Sequence, residues 1–574
     1  MSQVIQYQVS CVNAHQRYIQ FSATFPATES HLTLHLSAWR PGRYELGNFA
    51  KNIKDFRVFD DQNQALTFEK SNKDTWQIPT LETNTVRVEY SYYASELNAG
   101  SSYLDDQQLY INPVNCFLFA DETHAYELSL NIPSNWKIAS SLPFENNRCQ
   151  VAHFDKLADS PFICSPNLSK KSYAVNAYQF HVWFNHQKHI DWERLLVDFE
   201  KFTRAQIADF SEFPVQDFHF LIHSLPYAAY HGVEHLESTV ITLGPSYEVF
   251  GSLYKELLGV SSHELYHVWN VKSIRPAEML PYDFKAENYA VSGFVYEGVT
   301  TYLGDLYLLK SGVFTLEQYL VELGKQLQKH MDNPGRLNYS VAESSFDTWL
   351  DGYTPGAPGR KVSIYTEGCL LAFVCDLKIQ QATKHQFGIQ EVMKRLYVDF
   401  AKKGIGYTWQ DYQQILEQVS GISFDDFFQR YFFGVESYNN ILTEACAYLG
   451  LELKPAPASS YTEAQLGMKV LPKGTDAQIV AIYPGSPADV SGLAINDEII
   501  GVNQVRLQNN LDQWLSYFSA ETKSLLVNRS GRIMELSIEE DNHSYYAIQS
   551  VKRLETLSEA QRSALNHWGN LSID

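Results

Sequence analysis

Two histidines and a glutamate in one short segment have the types and the spacing that a metal-dependent reaction needs. The segment runs from His263 to His267, and Glu264 follows the first histidine directly. On a helix, residues i and i+4 lie on one face, so both imidazoles can reach a single divalent ion. Glu264 lies roughly a quarter-turn round that helix, where it can take a proton from a metal-activated water without being a ligand. The alternative, a helix that merely carries polar residues, stays open on this pattern alone.

A third candidate ligand, Glu297, follows His267 by 30 residues in the stretch FVYEGVTTY. A tetrahedral catalytic zinc site needs three protein ligands and one open position. This stretch resembles the second metal-site helix of the gluzincin peptidases. Thr301 lies one turn after Glu297 and is a candidate to hydrogen-bond a metal ligand.

Two runs, HELYHVWNVKSIRP from His263 and YEGVTTY from Tyr296, together resemble the M61 glycyl aminopeptidase family, a relative of aminopeptidase N. The resemblance implies a zinc metallopeptidase with one Zn²⁺ per chain. Its metal ligands would be His263, His267 and Glu297, and Glu264 would be the general base.

The same resemblance extends to a segment upstream of the histidines, HGVEH at 231–235. In the family, the glutamate of this segment binds the free α-amino group of the substrate, which implies that role for Glu234. The backbone before it, at His231 and Gly232, would pair with the peptide as an added edge strand. His231 stands where the family pattern has a glycine, and the alternative for Glu234 is a structural pair at the sheet edge.

Downstream, the run IYTEGCLL at 364–371 resembles the start of a family helix whose tyrosine stabilises the tetrahedral intermediate, which implies that role for Tyr365. The sequence therefore predicts a zinc-dependent aminopeptidase that hydrolyses the N-terminal peptide bond of peptides with a free N-terminus. The resemblance implies a preference for small N-terminal residues, glycine or alanine. The alternatives are a zinc endopeptidase, a peptidase of broad specificity, or a catalytically inert scaffold that binds peptides.

Composition limits the partners and the compartment. The net charge of −21 argues against nucleic acid and anionic membranes as partners, because both require a basic face. The sequence shows no secretory signal at its start and no apolar run long enough to span a bilayer. Its seven cysteines are scattered and without C-x-x-C pairs, which favours free thiols and a cytoplasmic location.

Hydrophobic periodicity predicts a multidomain α+β protein. Residues 1–170 alternate as the strands of an N-terminal antiparallel β-sandwich, and 171–450 have a mixed strand and helix pattern. For this second region the family resemblance implies a thermolysin-like α/β catalytic domain with a helical C-terminal part. After a Pro- and Ser-containing linker, residues 461–545 resemble a PDZ domain with a carboxylate loop at Gln465–Met468, which either binds a peptide or only packs. Residues 546–574 are expected to form a helical tail.

Overall fold

Strands with alternating burial form the N-terminal part of the protein, as the periodicity predicts. The computed structural model describes residues 4–81, 83–121, 123–354 and 356–573. The elements of the N-terminal part are β1 (Ile5–Ser10), β2 (Tyr18–Pro26), β3 (His31–Leu36), β4 (Ile53–Phe59), β5 (Glu69–Asn72), β6 (Thr75–Pro79), β7 (Thr85–Tyr93), β8 (Tyr103–Leu104), β9 (Leu109–Ile111), β10 (Leu118–Phe119), β11 (Tyr126–Asn131), β12 (Lys137–Ser140), β13 (Arg148–Val151), α1 (Phe154–Ala158) and β14 (Phe162–Ser165).

These strands form three sheets, in the orders β13-β11-β1-β2-β7-β4, β10-β3-β6-β5 and β12-β14-β9-β8. The first two pack through aromatic side chains: Phe56 stacks on Trp76 with ring centroids 4.9 Å apart. The hydroxyl of Tyr7 also donates to the Leu118 carbonyl oxygen at 2.9 Å. The prediction of a purely antiparallel region is wrong for one pair, because β1 and β11 run parallel. Their pairing depends on a long crossover connection, which strand periodicity does not report.

The next part of the chain alternates strands and helices and carries the predicted metal segment. Its elements are β15 (Leu168–Val175), β16 (Tyr178–Asn185), α2 (Trp192–Phe210), β17 (Asp217–Ser224), β18 (Ala229–Glu234), β19 (Ser238–Gly244), α3 (Tyr254–Tyr266), a π-helical turn (Phe294–Val299) and α4 (Thr300–Lys310). The strands form a mixed sheet in the order β15-β16-β17-β19-β18, so β18 lies at its edge. The first turn of α2 is capped by the Asp191 carboxylate.

Helices dominate the following region, which is the predicted helical part. They are α5 (Leu316–Asp332), α6 (Val341–Phe346), α7 (Thr348–Asp351), α8 (Ile364–Ala382), α9 (Ile389–Asp399), α10 (Trp409–Ser420), α11 (Asp425–Phe427) and α12 (Asn439–Tyr448). Three of the longer ones, α5, α9 and α10, bury one stripe of apolar residues and expose the rest, the amphipathic pattern of surface helices.

A smaller β-rich module follows. Its elements are β20 (Leu451–Leu453), α13 (Tyr461–Ala464), β21 (Met468–Lys473), β22 (Asp476–Ile482), α14 (Pro487–Val490), β23 (Glu498–Val502), β24 (Val505–Arg506), α15 (Leu511–Tyr517), β25 (Lys523–Arg529), β26 (Arg532–Ile538), β27 (Val551–Arg553) and α16 (Glu559–Gly569). The sheet β21-β22-β23-β25-β26 has its own apolar core, which includes Leu466 and Met468 of the predicted carboxylate loop. The resemblance of this module to a PDZ domain stays a prediction.

The chain divides into two compact units. The first comprises Met1–Thr315, Ser345–Thr354 and Lys378–Phe424, and the second comprises Leu316–Ser344, Pro355–Leu377 and Asp425–Asp574. The domain boundaries given above from the sequence stay a prediction. Within the described ranges, no helix combines the length and the apolar composition that crossing a membrane would require.

Candidate metal centre

Helix α3 brings the two histidines of the segment together in a buried position. His263 lies in its last turn and His267 caps its C-terminus, donating its backbone N–H to the His263 carbonyl oxygen at 3.3 Å. The two Nε2 atoms are 2.9 Å apart. The His267 side chain is 1% exposed and that of His263 is 20% exposed, so the pair is open to solvent on the His263 side only.

Glu297 reaches the same place from the π-helical turn Phe294–Val299. Its Oε2 lies 3.4 Å from Nε2 of His267 and 3.8 Å from Nε2 of His263. Two ligand bonds of 2.0–2.1 Å at a tetrahedral angle separate their donor atoms by about 3.3 Å. The three donor atoms therefore have the mutual spacing of a metal site, and π-helical turns are frequent at functional sites.

The negative charge buried in this pocket favours the binding of a cation. The carboxylates of Glu234, Glu264 and Glu297 are all buried close to the histidines. Burial, together with the charges of the other two carboxylates, raises the pKa of Glu264 well above its usual value. Burial lowers the pKa of His267, but Glu234 and Glu297 more than offset this and raise it to about 10. Two imidazoles and a carboxylate in such surroundings are a donor set that fits Zn²⁺.

Asn270 fixes the orientation of His267. The Asn270 carbonyl oxygen accepts a hydrogen bond of 2.6 Å from Nδ1 of His267, so Nε2 is the ring nitrogen that can bind a metal once it has lost its proton. The Asn270 amide in turn donates to the Val295 carbonyl oxygen at 2.9 Å and to the Thr300 hydroxyl at 3.0 Å. Asn270 thus ties the histidine segment to the segment of Glu297. Thr301, the sequence candidate for such a contact, instead donates to the backbone oxygen of Glu297 at 2.9 Å.

Gly232 on the edge strand β18 lies directly against Glu264. A β-carbon built on Gly232 would be 2.1 Å from Oε1 of Glu264 and 2.7 Å from its Cδ. Only a glycine therefore allows the carboxylate to occupy this position. Oε2 of Glu264 is buried and has no hydrogen-bond partner among the residues that the structure describes.

We expect Gly232→Ala to lower kcat/KM about 10- to 100-fold, because the added methyl group must displace the Glu264 carboxylate. Peptide hydrolysis and the thermal unfolding midpoint should both be measured. Gly259→Ala is the matched control, since a β-carbon there has its nearest neighbour at 3.8 Å. An unchanged kcat/KM in the Gly232 variant would show that the close contact does not matter for the reaction.

Glu234 ends the same strand and points into the same cluster. Ligand atoms of Glu234, Glu264 and His267 all lie within 4.8 Å of one another. The Glu234 side chain is buried, and its Oε1 has no hydrogen-bond partner within the described ranges. A buried carboxylate without a donor is costly, so this position is suited to a positively charged group.

His231 lies on β18 opposite Thr242 of β19 and is half-buried. Side chains alternate along a strand, so His231 faces away from the side shared by Gly232 and Glu234. Burial and the positive charges of Arg40 and Arg43 lower the pKa of His231 to about 3. The imidazole is therefore neutral, and the backbone contact to substrate at this position stays a prediction.

A segment of the N-terminal part, Trp39–Tyr44, contacts these residues. A β-carbon on Gly42, which has a φ of +83°, would lie 2.6 Å from Oε2 of Glu234. The Tyr44 ring packs on Tyr296, the neighbour of Glu297, with centroids 5.0 Å apart. Glu234 and Tyr296, the residue before Glu297, therefore both lie against this segment.

Asp159 buttresses the turn after Glu234. Its carboxylate accepts hydrogen bonds from Lys272 Nζ at 2.8 Å, from His235 Nδ1 at 3.1 Å and from the Leu236 amide at 2.8 Å. Burial opposes the ionised carboxylate, but Lys272 and His235 prevail and hold the pKa of Asp159 well below its usual range. No local sequence pattern indicates this contact, because its members are far apart along the chain.

Tyr365 lies in the first turn of α8 and is half-buried, in the second compact unit. The metal-centre residues belong to the first unit. The role of Tyr365 as an oxyanion donor stays a prediction.

Comparisons with known proteins agree with this fold. The chain matches the family model of the Peptidase M61 N-terminal domain over residues 6–166 and that of M61 glycyl aminopeptidase over residues 256–371. A crystal structure of an aminopeptidase N family protein from Idiomarina loihiensis is 25% identical, with a TM-score of 0.89, and the match covers 98% of this chain and 100% of that one. None of the curated proteins matches the sequence.

A mutant M1 zinc metallopeptidase from Deinococcus radiodurans, bound to a Tyr-Ser-Ala substrate, is 11% identical with a TM-score of 0.47; the match covers 76% of this chain and 94% of that one. The family matches define the class: this chain is a metallopeptidase. Within that class the matches support a metallo-aminopeptidase, and they confirm the resemblance to the M61 family over residues 6–166 and 256–371.

Proposed function

We propose that the protein is a zinc-dependent aminopeptidase that removes small N-terminal residues, glycine or alanine, from peptides. The observation that carries the proposal is the position of Glu234: its carboxylate lies within 4.8 Å of both Glu264 and His267. A substrate amino group at Glu234 would place the first peptide bond, and no later one, beside the candidate metal ligands. The description of the matched family as glycyl aminopeptidase supports the preference for small residues.

His263, His267 and Glu297 would hold the metal. When bound, Zn²⁺ supplies Lewis acidity, which polarises a carbonyl group and lowers the pKa of water toward 7. Asn270 keeps the His267 ring in the required tautomer through its carbonyl oxygen. Among the described residues, no other histidine lies in a group of potential ligands with the required spacing.

Glu264 would act as the general base. Its carboxylate is held against Gly232, and Oε2 has no donor within the described part of the chain, so it can accept a proton from the attacking water. It would then deliver that proton to the leaving amine. Tyr365 is the oxyanion donor that the family resemblance implies.

Glu234 would select substrates with a free amino terminus. An ammonium group at this position satisfies a buried carboxylate, whereas an acetylated terminus offers neither the charge nor the fit. Strand β18 is at the sheet edge, so its backbone can pair with an extended peptide along His231 and Gly232.

We expect Glu234→Gln to lower kcat/KM for Ala-p-nitroanilide by about 10- to 100-fold, mainly through a higher KM, because a hydrogen bond between two charged groups is lost. Glu237→Gln is the matched control three residues later, where the carboxylate pairs with Lys156 at the surface. Native enzyme should leave N-acetyl-Ala-p-nitroanilide intact. Equal cleavage of the acetylated substrate would favour the endopeptidase alternative.

The PDZ-like module carries a separate proposal, that it binds a peptide. Its Leu466 and Gly467 carbonyl oxygens accept hydrogen bonds from Ala488 and Tyr483 of the same module, at 3.0 and 2.8 Å. The acceptors of the predicted loop are thus used internally. The alternative is that the module only packs against the rest of the chain. The cytoplasmic location of the protein stays a prediction.

A further inference from the structure

Arg40 is a buried arginine that forms no ion pair with any residue that the structure describes. The residue is 5% exposed, and its Nη1 is buried without a hydrogen-bond partner among the described residues. No carboxylate within the described ranges forms a salt bridge with it. A buried, unpaired charge is strongly unfavourable, so the Arg40 position indicates an anion that binds there.

The guanidinium group of Arg40 occupies a space that a glycine leaves open. A β-carbon on Gly100 would lie 1.9 Å from Cζ of Arg40, so the arginine can occupy this position only because residue 100 is a glycine. The neighbouring Arg43, by contrast, pairs with Glu45 and lies over the Tyr353 ring, with its Cζ 4.8 Å from the centroid.

Arg40 lines a cavity of about 370 Å³, large enough for a small organic group. The other lining side chains are mainly polar and include the donors Lys51, Asn52 and Asn115. Two carboxylates also line the cavity: Glu45, which pairs with Arg43, and Glu96. Guanidinium, ammonium and amide groups are hydrogen-bond donors that suit a carboxylate. The chain has a net charge of −21, so a cavity that contains several hydrogen-bond donors differs from the average charge of the protein.

The segment that carries Arg40 also reaches the position proposed for the substrate amino group. Gly42, two residues after Arg40, is the residue whose β-carbon would meet Oε2 of Glu234 at 2.6 Å. Burial and the charge of Arg43 lower the pKa of Arg40, and Glu234 is one of the groups that oppose this shift. One short segment therefore connects a carboxylate suited to an ammonium group with a guanidinium suited to a carboxylate.

We propose that this cavity is a carboxylate-binding subsite, in which Arg40 binds a carboxylate of the peptide substrate. The carboxylate is either the free C-terminus of a short peptide or an acidic side chain. The inference rests on the proposed aminopeptidase function and deepens it, because it makes short or acidic peptides the preferred substrate class.

The test compares trialanine with trialanine amide, and Ala-Asp-amide with Ala-Asn-amide. The first pair reports the C-terminal carboxylate and the second the acidic side chain. For the unaltered protein we expect at least a tenfold higher kcat/KM for the acid in one of the two pairs. Arg40→Met should reduce that ratio to about one, and Arg40→Lys should retain part of it. Arg57→Met, an exposed arginine in the same part of the chain, is the matched control.

Binding and stability measurements keep the test independent of catalysis and of misfolding. Calorimetry on the Glu264→Gln protein should show the same preference for acid over amide, and Arg40→Met should remove it there as well. The thermal unfolding midpoint of Arg40→Met should equal or exceed that of the unaltered protein, because a buried unpaired charge is removed.

No preference for acid over amide in either pair, or a preference unchanged in Arg40→Met, would overturn the subsite. Succinate serves as a free dicarboxylate probe. If Arg40 is needed to bind succinate but the protein shows no preference among the peptides, the cavity does not bind a carboxylate of the substrate. If calorimetry shows the Arg40-dependent preference while no peptide is hydrolysed, the subsite is supported and the proposed aminopeptidase function fails.

Discussion

Glu264→Gln is expected to lower kcat/KM for Gly- and Ala-p-nitroanilide by about 10²- to 10⁴-fold, the usual contribution of a general base. The amide has nearly the same shape as the carboxylate, so it fits against Gly232 but cannot take up the proton. Metal content and the thermal unfolding midpoint should not fall. In fact, the variant removes one of three buried carboxylates, so its stability without metal should rise.

The control for this variant is Glu256→Gln, which makes the same change two turns earlier on α3. That protein should retain full activity. A Glu264→Gln protein that retains its metal and still turns over at the rate of the unaltered protein would contradict the assignment of Glu264. It would also favour the reading of the chain as a binding scaffold with no catalytic role for this segment.

Removal of the metal is expected to have the second large effect, on both activity and stability. Dialysis against a chelator should abolish hydrolysis, and stoichiometric Zn²⁺ should restore it. The metal binds only the folded chain, so it should add about 4 kcal/mol to the free energy of unfolding at 1,000 times its Kd. Without it, the buried carboxylates of Glu234, Glu264 and Glu297 repel one another.

His267→Ala should lose activity and stability in the same way, and added Zn²⁺ should not restore them. His189→Ala, an exposed histidine, should behave like the unaltered protein. Elemental analysis, calorimetric metal titration and thermal unfolding measure the three consequences. Full activity in chelator, or in His267→Ala, would exclude metal-dependent hydrolysis at this site.

Local patterns account for the parts of the site that the sequence could predict. Helical spacing alone puts His263 and His267 on one face, and the structure places their Nε2 atoms 2.9 Å apart. Glu297 needed the family resemblance, because its segment is a π-helical turn whose geometry no simple periodicity reports. The sequence predicts that the backbone of Gly232 pairs with the substrate, and the structure adds the close contact of Gly232 with Glu264.

Tertiary contacts account for what the sequence could not predict. Asn270 and Asp159 are ordinary polar residues in the sequence, and only the fold reveals that one orients His267 and the other holds His235. The same holds for the parallel pairing of β1 with β11, which depends on a long connection. The buried Nη1 of Arg40, which lacks a partner among the described residues, likewise becomes visible only once its neighbours are known.

The central claim is that His263, His267 and Glu297 hold one metal ion. An anomalous difference map from crystals of the protein, collected on both sides of the zinc absorption edge, tests it most directly. We predict a single strong peak per chain, at about 2.0–2.2 Å from Nε2 of each histidine and from a Glu297 oxygen. A peak elsewhere, or none at these three side chains in a zinc-loaded and active protein, would contradict the account.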